Sequence, residues 1–392
     1  MRNRKLKKYI PIFIAIPLIV MLLSGMRIEK AIADRYAVQF KSCGIITING
    51  ELWIPRGTLA NQIAIYVVPC RSVMNAKTIE KDSAEYHFAL MQKLLNRGVP
   101  WFTFYSREDS LLYAKSTMFT KASDLQAAIG YIKTWPGMES KKIILVGQSE
   151  GGAISAIVAS QTKIVDAVVL LSAPGVNGLD FFEYQNSYHD TLVFYGYGQF
   201  DDFYKLFLNA VPPIKGKHYN KTLEGLRSFR HDLQDPIRQI IIANENYDTI
   251  VQKVRTYIKA KWDQEEDSVK RLHKDFYSYY KHYYRADDLT LPERVALRKW
   301  EPAKYFPNVT CPVLAVYGTK DRKVEYKSSI ENITRLMAQG GNEDLTVLVL
   351  KDHDHYLVLG KKLYRGTEEI RAEVFPVPDS SVMPVVEWIV KQ

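Results

Sequence analysis

A chain of 392 residues, 47% hydrophobic and 24% charged, can bury one large core or two or three smaller ones, and this composition excludes a disordered chain. The formal net charge of +10 is concentrated at the start, where Arg2, Arg4, Lys5, Lys7, Lys8, Arg27 and Lys30 stand against Glu29. The excess left for the rest is too thin for the clustered basic face that nucleic acid demands, so no nucleic-acid partner is expected.

Residues 1–33 read as a targeting segment, a signal peptide or a membrane anchor. A basic start precedes Ile10 to Leu23, which are almost wholly apolar, and Ala31-Ile32-Ala33 has the small-x-small form of a cleavage site. Pro11, Pro17 and the shortness of the apolar run favour a cleaved signal, whereas Arg27, Glu29 and Lys30 suit an uncleaved anchor. Both place the body outside the cytoplasm, periplasmic or extracellular, and the second adds membrane association through residues 1–33.

Tyr36 to Phe40, Ile45 to Ile48 and Glu51 to Ile54 follow as short strands, with Asn49-Gly50 as the expected hairpin turn. Cys43, Cys70 and Cys311 lack CxxC spacing, which excludes a disulfide scaffold and a cysteine-rich zinc site. A Cys43 to Cys70 bridge stays open, and Cys43 and Cys311 otherwise read as buried small apolar residues. Ile63 to Val68 reads as a buried strand. Ser83 to Arg97 is a helix with the stripe Phe88, Met91, Leu94 and Leu95, closed by Gly98. Val99 to Tyr105 returns as a strand, and Ser123 is the expected cap of a helix carrying Leu125, Ala128, Ile129 and Ile132. Two more buried strands, the apolar run Ile143 to Val146 between the pair Lys141-Lys142 and Gly147, and Ala167 to Ser172, flank a helix. Strands alternating with helices predict an α/β fold with a mostly parallel sheet covered on both faces. At Ala173-Pro174-Gly175 the alternation stops, and 176–299 is helical, Tyr-rich and charge-rich, exemplified by Tyr247 to Trp262 and Val269 to Tyr284. Strands resume at Cys311 to Tyr317 and Leu345 to Leu350, and an amphipathic helix from about Met383 to Val390 ends the chain. The core therefore comprises 34–175 and 300–392, interrupted by the insertion 176–299.

The chemistry centres on Gly147-Gln148-Ser149-Glu150-Gly151 between a strand and a helix. A serine pushed out at so sharp a turn needs neighbours without side chains, and the backbone N–H of Glu150 at the helix start then faces a developing oxyanion. The alternative is a glycine-rich turn with a solvated serine. In a parallel sheet reacting groups collect beyond the carboxyl ends of the strands. Asp321 lies there, able to orient a histidine or to be an ordinary loop carboxylate. Lys351-Asp352-His353-Asp354-His355-Tyr356 follows the next strand and offers two candidate bases in the chain order Ser, Asp, His. The same pair could bind a metal, but no third ligand is identifiable. His87, His189, His218, His231, His273 and His282 are scattered and suit surface or structural roles.

On the residues Gly147-Gln148-Ser149-Glu150-Gly151-Gly152, Ser172-Ala173-Pro174-Gly175, Cys311 to Gly318 with Lys320-Asp321, and Asp354-His355, the chain resembles the α/β-hydrolase superfamily. Within it, the likeness is to a bacterial exported esterase-like group near the dienelactone hydrolase and prolyl-oligopeptidase catalytic-domain branches. The resemblance implies a triad of Ser149, Asp321 and His355, with His355 rather than His353 as base. It also implies a helical cap inserted after the strand that follows the elbow, where 176–299 lies. Members usually carry His-Gly-x after the third strand, as second oxyanion donor; this chain has Pro69-Cys70-Arg71-Ser72, so the N–H of Arg71 is the expected substitute. Proline has no N–H, and the Cβ of Cys70 stands where glycine is usual. The implied activity is cleavage of a small-molecule carboxylic ester or other acyl substrate through an acyl-enzyme, with no cofactor and no metal. An acyltransferase or thioesterase would use the same triad. A peptidase fits less well, for no propeller-like repeats precede the core, and an inactive exported ligand-binding protein is the alternative from another class.

Overall fold

The structure is a computed structural model that describes residues 32–67, 85–105, 107, 116–185, 235–264, 267, 290–365, 368–374 and 376–392. The chain enters as β1 (Ala33–Ser42) and β2 (Ile46–Pro55), an antiparallel pair. The turn between them is Cys43-Gly44-Ile45, with φ of 49° at Cys43 and 75° at Gly44, so Asn49-Gly50 is not the turn expected from sequence. Gly50 lies within β2 because a Cβ there would sit 2.7 Å from the Thr103 carbonyl oxygen on the neighbouring strand. Its glycine answers a close backbone approach, which mimics a turn signal in the sequence.

β3 (Gln62–Val67), α1 (Tyr86–Asn96), β4 (Trp101–Phe104), α2 (Met118–Ile132), β5 (Lys142–Gln148), α3 (Glu150–Gln161) and β6 (Val165–Leu171) follow. α2 begins nearly two turns earlier than expected. Thr117 caps it, its hydroxyl accepting from Thr120 N while Thr120 Oγ1 accepts from Thr117 N, and Ser123 sits inside the helix, its Oγ donating to the Phe119 carbonyl. The insertion ends with α5 (Pro292–Arg298), and after it come β7 (Val313–Gly318), α6 (Tyr326–Gln339), β8 (Leu345–Leu350), a β9 (Gly360–Arg365) and β10 (Glu368–Val374) hairpin, and α7 (Asp379–Lys391). The hairpin was not foreseen, although Ile370, Ala372 and Val374 alternate with charged residues along β10 as in a half-buried strand; Gly-Lys-Lys-Leu-Tyr-Arg has no such alternation.

The main sheet has the order β1-β2-β4-β3-β5-β6-β7-β8, parallel throughout from β4 to β8, with β2 antiparallel to both neighbours. Alternate residues of the central strands feed two cores. Ile143 and Leu145 of β5 pack with Leu125 and Ile129 of α2, Ile154 and Ile157 of α3 and Ile333 and Leu336 of α6. Ile144 and Val146 face the other way, onto Leu90 and Leu94 of α1 and Val382, Val385 and Ile389 of α7. Burying each such side chain contributes about 1.5–3 kcal/mol, which is why this stretch reads as a near-continuous apolar run.

Within 176–299 the described residues are helical at 178–185 and 235–242, in α4 (Tyr247–Asp263) and in α5. Val269 to Tyr284 lies outside the described residues. α4 buries Ile250, Val254 and Ile258, spaced by four along one face. The insertion is sewn to the core where it leaves and returns: Gly178 N donates to the Trp300 carbonyl at 2.8 Å, and Trp300 Nε1 to the Pro174 carbonyl at 3.1 Å. Among the described residues no helix is long and apolar enough to cross a membrane. Residues 1–31, which carry most of the targeting segment, lie outside them, as does Cys70. Cys43 and Cys311 are free thiols, the first exposed and the second partly buried, so Cys43 does not take the buried place expected of it.

Candidate active site

Ser149 joins β5 to α3 at φ 54° and ψ −122°, a backbone conformation that a residue with a side chain adopts only under constraint. The constraint is visible on both sides. A Cβ on Gly147 would lie 2.3 Å from the Gly151 carbonyl oxygen, and one on Gly151 would lie 2.2 Å from that of Val67. The turn closes only because both residues lack one. Ser149 N donates to the Leu171 carbonyl on β6 at 2.8 Å, and the Ser149 hydroxyl does not cap α3. Beside it Ser172 is also held at positive φ, 50°, and its buried hydroxyl makes no hydrogen bond among the described residues. Gln148 accepts from the Tyr66 hydroxyl at 2.7 Å through Oε1.

Glu150, the first residue of α3, turns its carboxylate into the protein, where Oε2 accepts from Lys121 Nζ of α2 at 2.8 Å. Burial raises the Glu150 carboxyl above its ordinary value; the Lys121 charge and hydrogen bond oppose that shift, and the Glu293 carboxylate on α5 adds to it.

Asp321 follows β7 and is 4% exposed. Its Oδ1 accepts from the backbone N–H of Lys323 at 2.8 Å and of Val324 at 2.9 Å. His355 follows β8, is equally buried, and places Nδ1 2.9 Å from Oδ2 and 3.1 Å from Oδ1 of Asp321. Facing a carboxylate, Nδ1 carries the ring proton, which leaves the lone pair on Nε2 at the opposite edge. The loop that presents His355 is built by Asp354, whose Oδ1 accepts from Tyr356 N and Val358 N. It is held against the acid loop by Lys320 N donating to the His353 carbonyl at 2.8 Å.

His353 has a different engagement. Its Nδ1 bonds the Lys351 carbonyl at 2.7 Å and its Nε2 the Ser381 hydroxyl at 2.9 Å, so both ring nitrogens are committed on the side of α7. Among the described residues no three His, Cys, Asp or Glu gather as a metal site would require. Of the sequence-predicted residues, Asp321 and His355 are in contact, and Ser149 and Glu150 stand at the same carboxyl edge of the sheet, two strands from β7. Arg71 lies outside the described residues. The sequence reading missed Lys121, Ser381 and Tyr184, whose hydroxyl donates to the Asp321 carbonyl at 2.8 Å. Lys121 had a signal: it interrupts the apolar stripe Met118, Ala122, Leu125, Ala128 and Ile129 at a core-facing position. A groove of about 510 Å³ lined by Asp180, Glu301, Glu331 and Arg335 among others touches none of these residues.

A family model described as alpha/beta hydrolase fold matches residues 138–362, more than half of the chain, and the chain belongs to that family. No curated protein matches it. Among solved structures it is similar to Est1E from Butyrivibrio proteoclasticus, at 13% identity and a TM-score of 0.43, over 91% of this chain and 96% of that one. It is similar also to a dienelactone hydrolase from Anabaena variabilis, at 12% and 0.42 over 92% and 96% of the two chains. An esterase of Pyrococcus furiosus gives 12% and 0.43 over 83% and 84%. Membership of the family fixes the fold, and fold alone does not fix a reaction.

Proposed function

We propose that the protein is a serine hydrolase that cleaves carboxylic esters through an acyl-enzyme. The observation that carries the reading is the His355 Nδ1 contact with the Asp321 carboxylate, at the sheet edge where Ser149 stands on its strained turn. His355 Nε2 takes the proton of the Ser149 hydroxyl as its oxygen attacks the ester carbonyl. The N–H of Glu150, with that of Arg71 as second donor, holds the oxyanion. Asp321 keeps the imidazole in its tautomer and stabilises the imidazolium. The imidazolium then protonates the departing alkoxide. A water attacks the acyl-enzyme, giving its proton to Nε2, and the acid leaves as Ser149 regains its hydrogen. No cofactor enters these steps.

In this reading 176–299 is a helical cap over the site, residues 1–33 direct export and can tether the protein to a membrane, and the substrate is a small ester or acyl compound. A fluorophosphonate probe followed by peptide mapping tests it, together with turnover of a series of p-nitrophenyl esters. Labelling at Ser149 with ester turnover is the expected result. A folded protein that does not label at Ser149 overturns the reading and favours the ligand-binding alternative, which Pro69-Cys70 in place of His-Gly supports. Product partition with added alcohols or thiols separates a hydrolase from an acyltransferase.

A further inference from the structure

We propose that Lys121 is a positioning residue: by holding the Glu150 carboxylate inside the protein, it fixes the peptide whose N–H is assigned to the oxyanion. This deepens the serine-hydrolase reading and rests on it. The geometry that points to it is local. The elbow has two glycines, one strained serine and two long side chains: Gln148, held by the Tyr66 hydroxyl on the strand side, and Glu150 on the helix side. One flank of the turn is set by Gly151 seated against the Val67 carbonyl. The other flank meets α2 through the 2.8 Å contact between Lys121 Nζ and Glu150 Oε2, with the two side chains only 7% and 14% exposed.

Lys121 stands where its own helix disfavours it. It lies at the amino end of α2, after the Thr117 cap, where the helix dipole repels an ammonium group, and burial penalises the charge further. Glu150 is better placed for its charge, since a carboxylate in the first turn of α3 suits the dipole. An ammonium group kept in an unfavourable place beside a nucleophile is accounted for by what it holds. With the pair in place, Glu150 cannot turn out to solvent, and the peptide between Ser149 and Glu150 cannot rotate without breaking a buried contact. Asp124, one turn on, is engaged separately by Arg107, so the same face of α2 anchors the loop after β4 through a different ion pair.

The test compares Lys121→Met, Lys121→Arg and the double variant K121M/E150Q with the wild-type chain. The rate of Ser149 labelling by a fluorophosphonate, kcat and KM on a short p-nitrophenyl ester, and the melting temperature are measured for each. Lys121→Met is expected to slow labelling and kcat by about tenfold to a hundredfold, as small misplacements of a reacting group do, with KM unchanged. Lys121→Arg keeps the ion pair and is expected to retain most of the rate, which a purely space-filling role would not predict. The double variant leaves no unpaired charge and is expected to fold, yet to label as slowly as Lys121→Met. Wild-type labelling rates in a folded double variant overturn the proposal, and so does a raised KM with unchanged kcat. If the wild-type chain itself fails to label, the serine-hydrolase reading has failed, an outcome distinct from failure of the positioning role alone.

Discussion

On the acid side of the site, Asp321 is held by two backbone N–H groups and an imidazole, and the described structure gives it no lysine or arginine partner. Beside the elbow serine, Glu150 is less enclosed, its side chain 14% exposed, and meets an ammonium group. The difference follows from what each carboxylate has to do. Under the proposed mechanism Asp321 would stabilise a charge that appears on its histidine and vanishes again, so neutral donors that leave its field directed at the ring serve it, whereas a nearby fixed cation would oppose the imidazolium. Glu150 has no transient charge to answer, and a permanent partner is compatible with a purely positional task. A second contrast lies within the base loop, where His353 and His355 stand two residues apart with both nitrogens committed in one and one edge left open in the other.

The largest effect expected is on the acid side. Asp321→Asn keeps the shape but favours the wrong tautomer, and turnover should fall about ten-thousandfold while the melting temperature changes little; ester kinetics with a thermal melt reads both. His355→Ala should lower turnover comparably and, by leaving the buried Asp321 carboxylate without its imidazole, should also lower stability by about 1–3 kcal/mol. Gly151→Ala attacks the nucleophile side by geometry, driving a Cβ into the Val67 carbonyl; a loss of about 3 kcal/mol by denaturant titration, together with loss of labelling, is expected. His353→Ala inverts the histidine contrast: leaving the Ser381 hydroxyl without its buried partner should lower stability by about 1–3 kcal/mol, with turnover falling less than tenfold. Equal losses of activity in the two histidine variants would erase the distinction between them. Tyr184→Phe removes one bond from the insertion to the acid loop and should lower stability by about 1 kcal/mol.

The smallest effect concerns the thiols. Burial pushes Cys311 up to about 11, so at pH 8 iodoacetamide should modify exposed Cys43 well before Cys311, as peptide mapping by mass spectrometry would show. The sign follows for stability. Unfolded, the Cys311 thiol ionises near its ordinary value of 9 and, folded, near 11, so the unfolded state binds fewer protons between those values and stability declines across that window as pH rises.

Much of this architecture was legible in the residues themselves. The apolar run before Ser149 and the glycines around it admit little besides a buried strand and a sharp turn, because these signals are local and act through backbone sterics. The chain order of a serine, an aspartate and a histidine pair, Ser149, Asp321 and His353 or His355, could be read because each follows a recognisable strand, while the preference for His355 came from the family resemblance. Other features were invisible or misread. Asn49-Gly50 looks like a hairpin turn until β4 is laid against β2, and Ser123 looks like a cap until Thr117 is seen to fill that role. The partition between His353 and His355 needed Ser381, and the place of Lys121 needed Glu150, each from a distant part of the chain. The sequence alone therefore determined the alternating α/β layers and the turn that exposes a serine, since hydrophobic period and steric permission are properties of neighbouring residues. Only the tertiary structure decided which buried charges and ring nitrogens have partners, because a partner is supplied by packing between elements that no local pattern records.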